Sequence, residues 1–405
     1  MSVRDLATGR QTQEDRAQFR AFISDDETRG VVDQVIRDLV IPHSAVHKGG
    51  IAGAIEFLSE HRSPRMLLVD LSQSDLPLSH INELAEVCEP GVTVVAVGDR
   101  NDVGLFRELM NSGVSDYLVK PITPALLQKS LLSTVDSETR ARQTNKLGRL
   151  VVVVGARGGV GATTVATNTA HHVAEVRRRR VALVDFDLQF GTAALALDLE
   201  PSHGFSEALE TASRIDSLYV ERTMSRYSDT LFVLSAEEGL DEEIAIDPEA
   251  VDHLMHELRS KFHYVFVDTP RPFAGASAKL LREASDVVLV ADPSLASMRD
   301  TLRICQWLPT INAACSVTLL MNRVGENRQG EIPPAEFEKG VGRKIDITMP
   351  FDARNVAGAV NVGQPLLSTS SSLCGAIAQL SEALCGLTSR PKKGLLAKVL
   401  GQRGR

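Results

Sequence analysis

The first third of the chain alternates short apolar runs with stretches whose apolar residues recur at helical spacing. The runs are residues 21–23, 66–69, 92–97 and 117–119. Buried strands of a parallel sheet have this appearance, because helices cover both faces of such a sheet. The pattern over residues 18–135 therefore predicts an α/β domain in which helices connect parallel strands.

A second and longer α/β pattern runs from residue 150 to residue 388. Its strand candidates are residues 150–154, 181–184, 230–234, 264–267, 287–290 and 317–321. Residues 136–149 carry almost no apolar side chains, so they cannot contribute to a core and are predicted to be a linker. The expected fold is two doubly wound α/β domains, with residues 1–17 disordered and residues 389–405 forming a separate basic tail.

Composition narrows the class of protein. The 405 residues are 43% hydrophobic and 24% charged with a net charge of -8, which is typical of a soluble chain and disfavours a general nucleic-acid coat. The five cysteines include no Cys-x-x-Cys pair, so neither a zinc site nor a disulfide framework is predicted. The first residues are polar, unlike a secretory signal, and no stretch approaches the ~20 apolar residues of a membrane span. A cytoplasmic protein is expected.

A glycine-rich loop between a predicted strand and a predicted helix carries the strongest chemical signal. It reads Gly155-Ala-Arg-Gly-Gly-Val-Gly-Ala-Thr-Thr164. Glycines let such a loop fold around phosphates with its N–H groups turned inward, and the helix N-terminus that follows favours negative charge. The loop predicts ATP and Mg²⁺ as ligands, with the Thr163 hydroxyl on the metal. The predicted nucleotide-binding residues of this loop are Gly158, Gly159, Val160, Gly161, Ala162, Thr163 and Thr164.

One position departs from the usual phosphate-binding loop. That loop ends in Gly-Lys followed by Ser or Thr, and its lysine reaches the β- and γ-phosphates, whereas this chain has Ala162. Loss of a charge positioned at the transferred phosphate weakens stabilisation of the transition state. Binding of ATP with slow or absent hydrolysis is therefore expected.

Two acidic elements follow apolar strands further along the chain. Residues 181–184 lead into Asp185-Phe-Asp187, and residues 264–267 lead into Asp268. The carboxyl ends of parallel strands are where open α/β sheets build their sites. An aspartate ending such a strand is the Walker B arrangement, so Asp268 is predicted to share the Mg²⁺ with Thr163.

These elements, in this order, resemble the MinD/ParA group of P-loop ATPases. The resemblance implies a homodimer formed around ATP, in which Asp187 orients the attacking water. It also implies that Arg157 replaces a lysine that reaches into the partner's site. Further along, Asn322 follows the strand candidate 317–321 and is implied to contact adenine, with Pro350 in a turn near the same edge.

The first domain resembles the receiver domain of response regulators. Asp25 and Asp26 follow its first strand, Asp70 ends its third, and Lys120 ends its fifth. The resemblance implies that Asp70 is a phosphoacceptor. The fourth strand, however, ends in Gly98, where receivers carry a Thr or Ser whose hydroxyl follows the phosphate. Two interpretations stay open: a phosphorylation-regulated switch, and a receiver-shaped docking or dimerisation module.

The order of the two domains is similar to that of the CpaE/TadZ proteins of Flp (Tad) pilus assembly. This resemblance implies an ATP-binding protein that localises to a cell pole or membrane focus and works with the pilus secretion proteins. Two alternatives remain: a partition or positioning ATPase that cycles by hydrolysis, and a signalling adaptor controlled by phosphorylation. Nucleic acid is not an expected partner, because the chain is acidic.

The C-terminal residues predict a weak contact with a membrane surface. Every charged residue from 390 to 405 is Lys or Arg, and an interfacial helix there would present one apolar face. The residues of that face are Leu395, Leu396, Val399 and Leu400. A frayed soluble tail is the alternative.

Overall fold

The computed structural model describes residues 17–141, 147–202, 204–241, 244–271, 273–366 and 371–386. The chain divides into two compact units: the first runs up to Gly148 and includes Ser260–His263, and the second comprises the remainder. The predictions for residues 1–16 and for the tail 389–405 lie outside the described residues. No helix in the described part of the chain is both long enough and apolar enough to cross a membrane.

The first unit is a five-stranded parallel sheet with five helices. Its strands are β1 Phe19–Ile23, β2 Ser44–Lys48, β3 Met66–Asp70, β4 Thr93–Gly98 and β5 Asp116–Val119. Its helices are α1 Asp26–Asp38, α2 Gly50–Glu60, α3 Pro77–Val87, α4 Val103–Asn111 and α5 Pro124–Ala141. The strand order β2-β1-β3-β4-β5 is the flavodoxin-like order, which confirms the predicted receiver-like fold.

Apolar cores on both faces of this sheet explain which strands the sequence pattern detected. The detected strands place buried residues such as Leu67, Leu68 and Val95 into these two cores. Strand β2 was missed because it lies at the sheet edge and its residues are only half-buried or exposed. Helix α5 continues to Ala141 and thus covers the start of the predicted linker 136–149.

The second unit is an eight-stranded sheet with helices on both faces. Its strands are β6 Arg149–Gly155, β7 Val181–Asp185, β8 Ser225–Arg226, β9 Leu231–Leu234, β10 Tyr264–Thr269, β11 Asp286–Ala291, β12 Ser316–Val324 and β13 Ile347–Pro350. Its α-helices are α6 Ala162–Glu175, α7 Phe205–Glu210, α8 Ser217–Thr223, α9 Pro248–Lys261, α10 Ala276–Glu283, α11 Leu295–Ile311, α12 Pro334–Val341, α13 Ala353–Asn361 and α14 Leu373–Leu384.

The strand order places the glycine-rich loop at the middle of this sheet. The order is β13-β12-β11-β6-β10-β7-β9-β8, and every pairing is parallel except that of β8 with β9. Strand β6 lies between β10 and β11, is buried from Leu150 onward, and leads directly into the loop. Both predicted acidic elements, at the ends of β7 and β10, therefore lie at the carboxyl ends of the strands, as the loop does. The prediction of two doubly wound α/β units is confirmed.

Candidate functional site

The glycine-rich loop joins β6 to α6 in a conformation that requires glycine at two positions. Gly159 and Gly161 have φ values of 78° and 89°, in the left-handed region that side chains disfavour. Gly161 also serves as the N-cap of α6 and offers no side chain to the first N–H groups of that helix. Val160 is buried in the core and anchors the middle of the loop. The loop therefore presents its backbone N–H groups and a helix N-terminus at one point.

A long-range contact gives a second reason for glycine at position 161. A Cβ atom built on Gly161 would lie 2.6 Å from the Asn322 side-chain nitrogen. That nitrogen donates a hydrogen bond to the Val160 carbonyl at 2.8 Å. Any other residue at position 161 would therefore meet both backbone strain and a steric clash.

The predicted magnesium ligands lie together beside the loop. The Thr163 side chain lies beside Asp268, at the carboxyl end of β10, and lowers the pKa of that carboxyl. Burial, together with the charges of Asp185 and Asp187, raises the pKa of Asp268 to about 7. A carboxylate and a hydroxyl are the oxygen ligands that Mg²⁺ prefers, and a cation here would relieve the crowding of three acids. The donor set therefore fits Mg²⁺.

The two aspartates after β7 have different environments. Asp185 is buried, and its carboxylate accepts hydrogen bonds from the N–H groups of Ala193 at 3.0 Å and Asp187 at 3.1 Å. Asp187 is only partly buried, and it accepts one hydrogen bond, from the N–H of Phe190 at 3.1 Å. Asp185 thus shapes the turn, while Asp187 is the acid that remains accessible. The predicted role of Asp187 in orienting water stays a prediction.

Arg157 is paired within its own chain. Its guanidinium nitrogens Nε and Nη2 lie 3.0 Å and 2.5 Å from the Asp292 carboxylate, just after β11. The Ser294 hydroxyl also donates to Asp292, at 2.6 Å. Burial would raise the pKa of Asp292, but the hydrogen bonds from Arg157 and Ser294 hold it below its usual value. In this arrangement Arg157 is held against the residue that follows β11.

Asn322 and Pro350 lie on neighbouring strands at one edge of the site. Asn322 is in β12, and Pro350 ends β13 opposite Val324. The Asn322 amide nitrogen bonds to the Val160 carbonyl, and its oxygen accepts the N–H of Arg323 at 2.8 Å. The structure therefore places the two residues on paired strands, and their contact with adenine stays a prediction.

Two arginines at the loop were not foreseen from the sequence. Arg271 Nη1 donates to the Ala156 carbonyl at 2.6 Å, and Arg323 Nη1 donates to the Gly159 carbonyl at 2.7 Å. These partners are 115 and 164 residues apart in the chain, so no local motif marks them. Their one sequence signal is position, since each follows closely on a predicted site residue, Asp268 or Asn322.

Comparisons with known proteins agree with this geometry. A sequence model of the AAA domain matches residues 148–316. The chain is 23% identical to the septum site-determining protein MinD of Bacillus subtilis over 264 residues, which are 62% of this chain and 97% of that protein. It also matches the crystal structure of a ParA family ATPase from Chlorobium tepidum, with 24% identity, 57% and 98% of the two chains covered, and a TM-score of 0.52. The second unit has the fold of a MinD/ParA-type P-loop ATPase.

A third match involves a smaller share of the chain. The crystal structure of the pilus assembly protein CpaE from Caulobacter crescentus is 31% identical, and the match covers 29% of this chain and 93% of that chain with a TM-score of 0.28. Over the larger share of its length, the chain is similar to MinD/ParA-type P-loop ATPases.

A second candidate site lies in the first unit, where three of the four predicted receiver residues meet. Lys120 Nζ lies 2.5 Å from an Asp25 oxygen and 2.6 Å from an Asp70 oxygen. Burial alone would raise the pKa of Asp70, but hydrogen bonds from Lys120, Ser72 and Ser24 hold it below the usual value. Asp26 pairs with Lys48 at 3.3 Å instead, and it takes no part in the Lys120 cluster.

The space beside Gly98 is filled by a tyrosine. A Cβ atom on Gly98 would lie 2.5 Å from the Tyr117 hydroxyl oxygen and 3.0 Å from Cε2 of that ring. The hydroxyl donates to the Arg100 carbonyl at 3.0 Å, and the ring is buried. The position that would carry a Thr or Ser side chain in a receiver is thus occupied by a fixed phenol. This packing favours the docking-module interpretation over the switch.

We expect Gly98→Thr to destabilise the first unit by about 1–3 kcal/mol, because the new side chain must displace Tyr117 from its packed position. Thermal unfolding of the full chain, followed by calorimetry, should show one transition at a lower temperature. Gly30→Ala in α1 is the matched control, since a Cβ there meets no atom within 4 Å. Unfolding of Gly98→Thr at the wild-type temperature would contradict the packing argument.

Proposed function

We propose that this protein is an ATP-binding localisation and scaffold protein for Flp (Tad) pilus assembly, which dimerises with ATP and hydrolyses it slowly or not at all. The observation that carries the nucleotide part is the complete loop geometry around Gly159 and Gly161 combined with Ala162 at the lysine position. The pilus part rests on the resemblance of the domain order to CpaE/TadZ proteins. The basic tail would add a peripheral membrane contact.

The proposed chemistry assigns one task to each group around the loop. The loop N–H groups bind the phosphates, and Thr163 and Asp268 hold Mg²⁺, which neutralises phosphate charge when bound. Asp187 holds a water molecule near the terminal phosphate. With Ala162 in the loop, no lysine lies in the position that would stabilise charge on the transferred phosphate, so binding is retained better than turnover.

Arg157 supplies the proposed link between ATP and dimerisation. In the single chain its guanidinium is satisfied by Asp292. To reach a nucleotide phosphate in a second copy it must exchange this carboxylate for phosphate oxygens, which a guanidinium binds equally well in a fork. A ligand can shift the monomer–dimer equilibrium only through such differential contacts. ATP, with its additional phosphate, is expected to favour the dimer more than ADP.

Analytical ultracentrifugation tests this proposal. We expect the purified protein to be monomeric without nucleotide and with ADP, and dimeric with ATP and Mg²⁺. Asp187→Ala should keep the ATP-dependent dimer, because that residue acts on water and not on binding. Gly161→Ala should abolish it, because the loop cannot keep its backbone conformation. A sedimentation coefficient that ignores nucleotide would refute the proposed mechanism.

A second candidate is a positioning ATPase that cycles by hydrolysis. The similarity to MinD over 97% of the Bacillus protein favours it, as does the retained set of Asp187, Asp268 and Thr163. A steady-state phosphate-release assay separates the two candidates. Wild-type turnover well above a Gly161→Ala background would favour the hydrolysing ATPase.

A further inference from the structure

A loop that wraps a phosphate chain turns its N–H groups and its carbonyl groups in different directions. Its N–H groups face the anion, so its carbonyl groups face outward and need donors of their own. In this chain three side chains from outside the loop supply donors to three of its carbonyl groups. Arg271 bonds to the Ala156 carbonyl at 2.6 Å, Arg323 to the Gly159 carbonyl at 2.7 Å, and Asn322 to the Val160 carbonyl at 2.8 Å.

The N–H groups of the loop differ from these carbonyl groups in their hydrogen bonding. Within the described part of the chain, the backbone N–H groups of residues 158–161 have no hydrogen-bond acceptor. Side chains thus satisfy the carbonyl groups of Ala156, Gly159 and Val160, while the N–H groups of residues 158–161 remain available to a ligand. Successive N–H groups that lead into a helix N-terminus favour an anion.

Both arginines are themselves held in place by acids. Arg323 Nε and Nη2 lie 2.6 Å and 2.5 Å from the two Glu326 oxygens, and Arg271 Nη1 lies 3.5 Å from Asp300. Arg323 also has a φ of 60°, a backbone conformation that residues with a side chain rarely adopt. Such a backbone conformation persists where the surroundings fix it, and here it aims the guanidinium at the loop.

We propose that Arg323 and Arg271 are positioning residues of the phosphate-binding loop. They hold the Gly159 and Ala156 carbonyls outward, so that the N–H groups are fixed for the di- or triphosphate of a nucleotide. In a chain with Ala162 at the lysine position, this fixation carries a larger share of phosphate affinity than it would beside a lysine. The inference rests on the proposed function, since it names how the same site gains its affinity.

A purely structural role for the two arginines would affect stability and nucleotide affinity differently. If they only join the loop to β12 and to the segment after β10, removing one lowers stability and weakens every ligand of the site alike. If they orient the loop N–H groups, removing one weakens ligands in proportion to their phosphates. Affinity for ADP and ATP should then fall while affinity for AMP, which places little charge in the loop, is nearly unchanged.

The test measures binding of fluorescent ADP and ATP analogues with Mg²⁺, competition by AMP, and thermal unfolding without nucleotide. We expect Arg323→Met and Arg271→Met each to weaken ADP and ATP by about tenfold and AMP by less than about twofold. Arg323→Lys should recover most of the affinity, because it keeps a cationic donor. Arg343→Met is the matched control, since Arg343 also donates to a backbone carbonyl, that of Val317 near the start of β12, which is not in the loop.

The outcomes are distinguishable. Wild-type affinity in both the Arg323→Met and Arg271→Met variants, an equal loss for AMP and ADP, or the same loss in Arg343→Met would each overturn the inference. If Arg323→Met does not fold, Arg271→Met decides by the same comparison. Failure of the proposed function has another signature, because the wild-type protein itself would then bind none of the nucleotides.

Discussion

Ala162→Lys is expected to raise the rate of ATP hydrolysis about a hundredfold, the effect that a single positioned donor has on a developing anionic charge. The rest of the catalytic set is in place around this position. Thr163 and Asp268 lie beside each other, and Asp187 is only partly buried. Position 162 is the first residue of α6, so a lysine there starts at the site where the phosphates would lie.

Phosphate release at saturating ATP and Mg²⁺ provides the measurement. Ala162→Met, which matches the length of lysine without its charge, is the control and should remain at the wild-type rate. Combining Ala162→Lys with Asp187→Ala should remove the gain. Without nucleotide, the lysine variant should be slightly less stable, because a cation at a helix N-terminus opposes the helix dipole by about 0.3–1 kcal/mol. No gain in turnover would show that the lysine position does not limit hydrolysis.

Asp268→Asn is expected to stabilise the metal-free protein at pH 8 by up to about 4 kcal/mol. Burial and the neighbouring Asp185 and Asp187 raise the pKa of Asp268 from 3.8 to about 7. The folded state therefore binds a proton more tightly than the unfolded state does. Between about pH 4 and pH 7 this group lowers stability as the pH rises, and above pH 7 the full cost of burying the charge remains.

Denaturant unfolding in the presence of a chelator, from pH 5 to pH 8, checks this expectation. The difference in unfolding free energy between Asp268→Asn and wild type should grow as the pH rises. Added Mg²⁺ should stabilise wild type at pH 8 but not the variant, because the asparagine carries no charge for the metal. Asp198→Asn, at an exposed position, is the control and should show no such trend. A constant difference across this pH range would contradict the raised pKa.

Features that depend on neighbouring residues could be predicted from the sequence, whereas contacts between distant residues could not. The loop was predictable because a buried strand, the glycines and a helix follow one another directly in the chain, and the backbone conformation of Gly159 and Gly161 follows from that order. Strand β2 was not, because edge strands need not alternate or be apolar. Gly98 was recognised as a departure, but the sequence did not show that Tyr117 fills its place.

The sequence by itself determined the two doubly wound units, the phosphate-binding loop, the absence of its lysine and the acids that follow strands β7 and β10. Each depends on residue type and short-range spacing, which hydrophobic burial and backbone sterics translate directly into structure. Only the tertiary structure decided that Arg157 pairs with Asp292 and that Arg271 and Arg323 donate hydrogen bonds to carbonyl groups of the loop. Those contacts join strands far apart in the chain, and the order of strands in the sheet, which no local pattern encodes, determines which side chains meet.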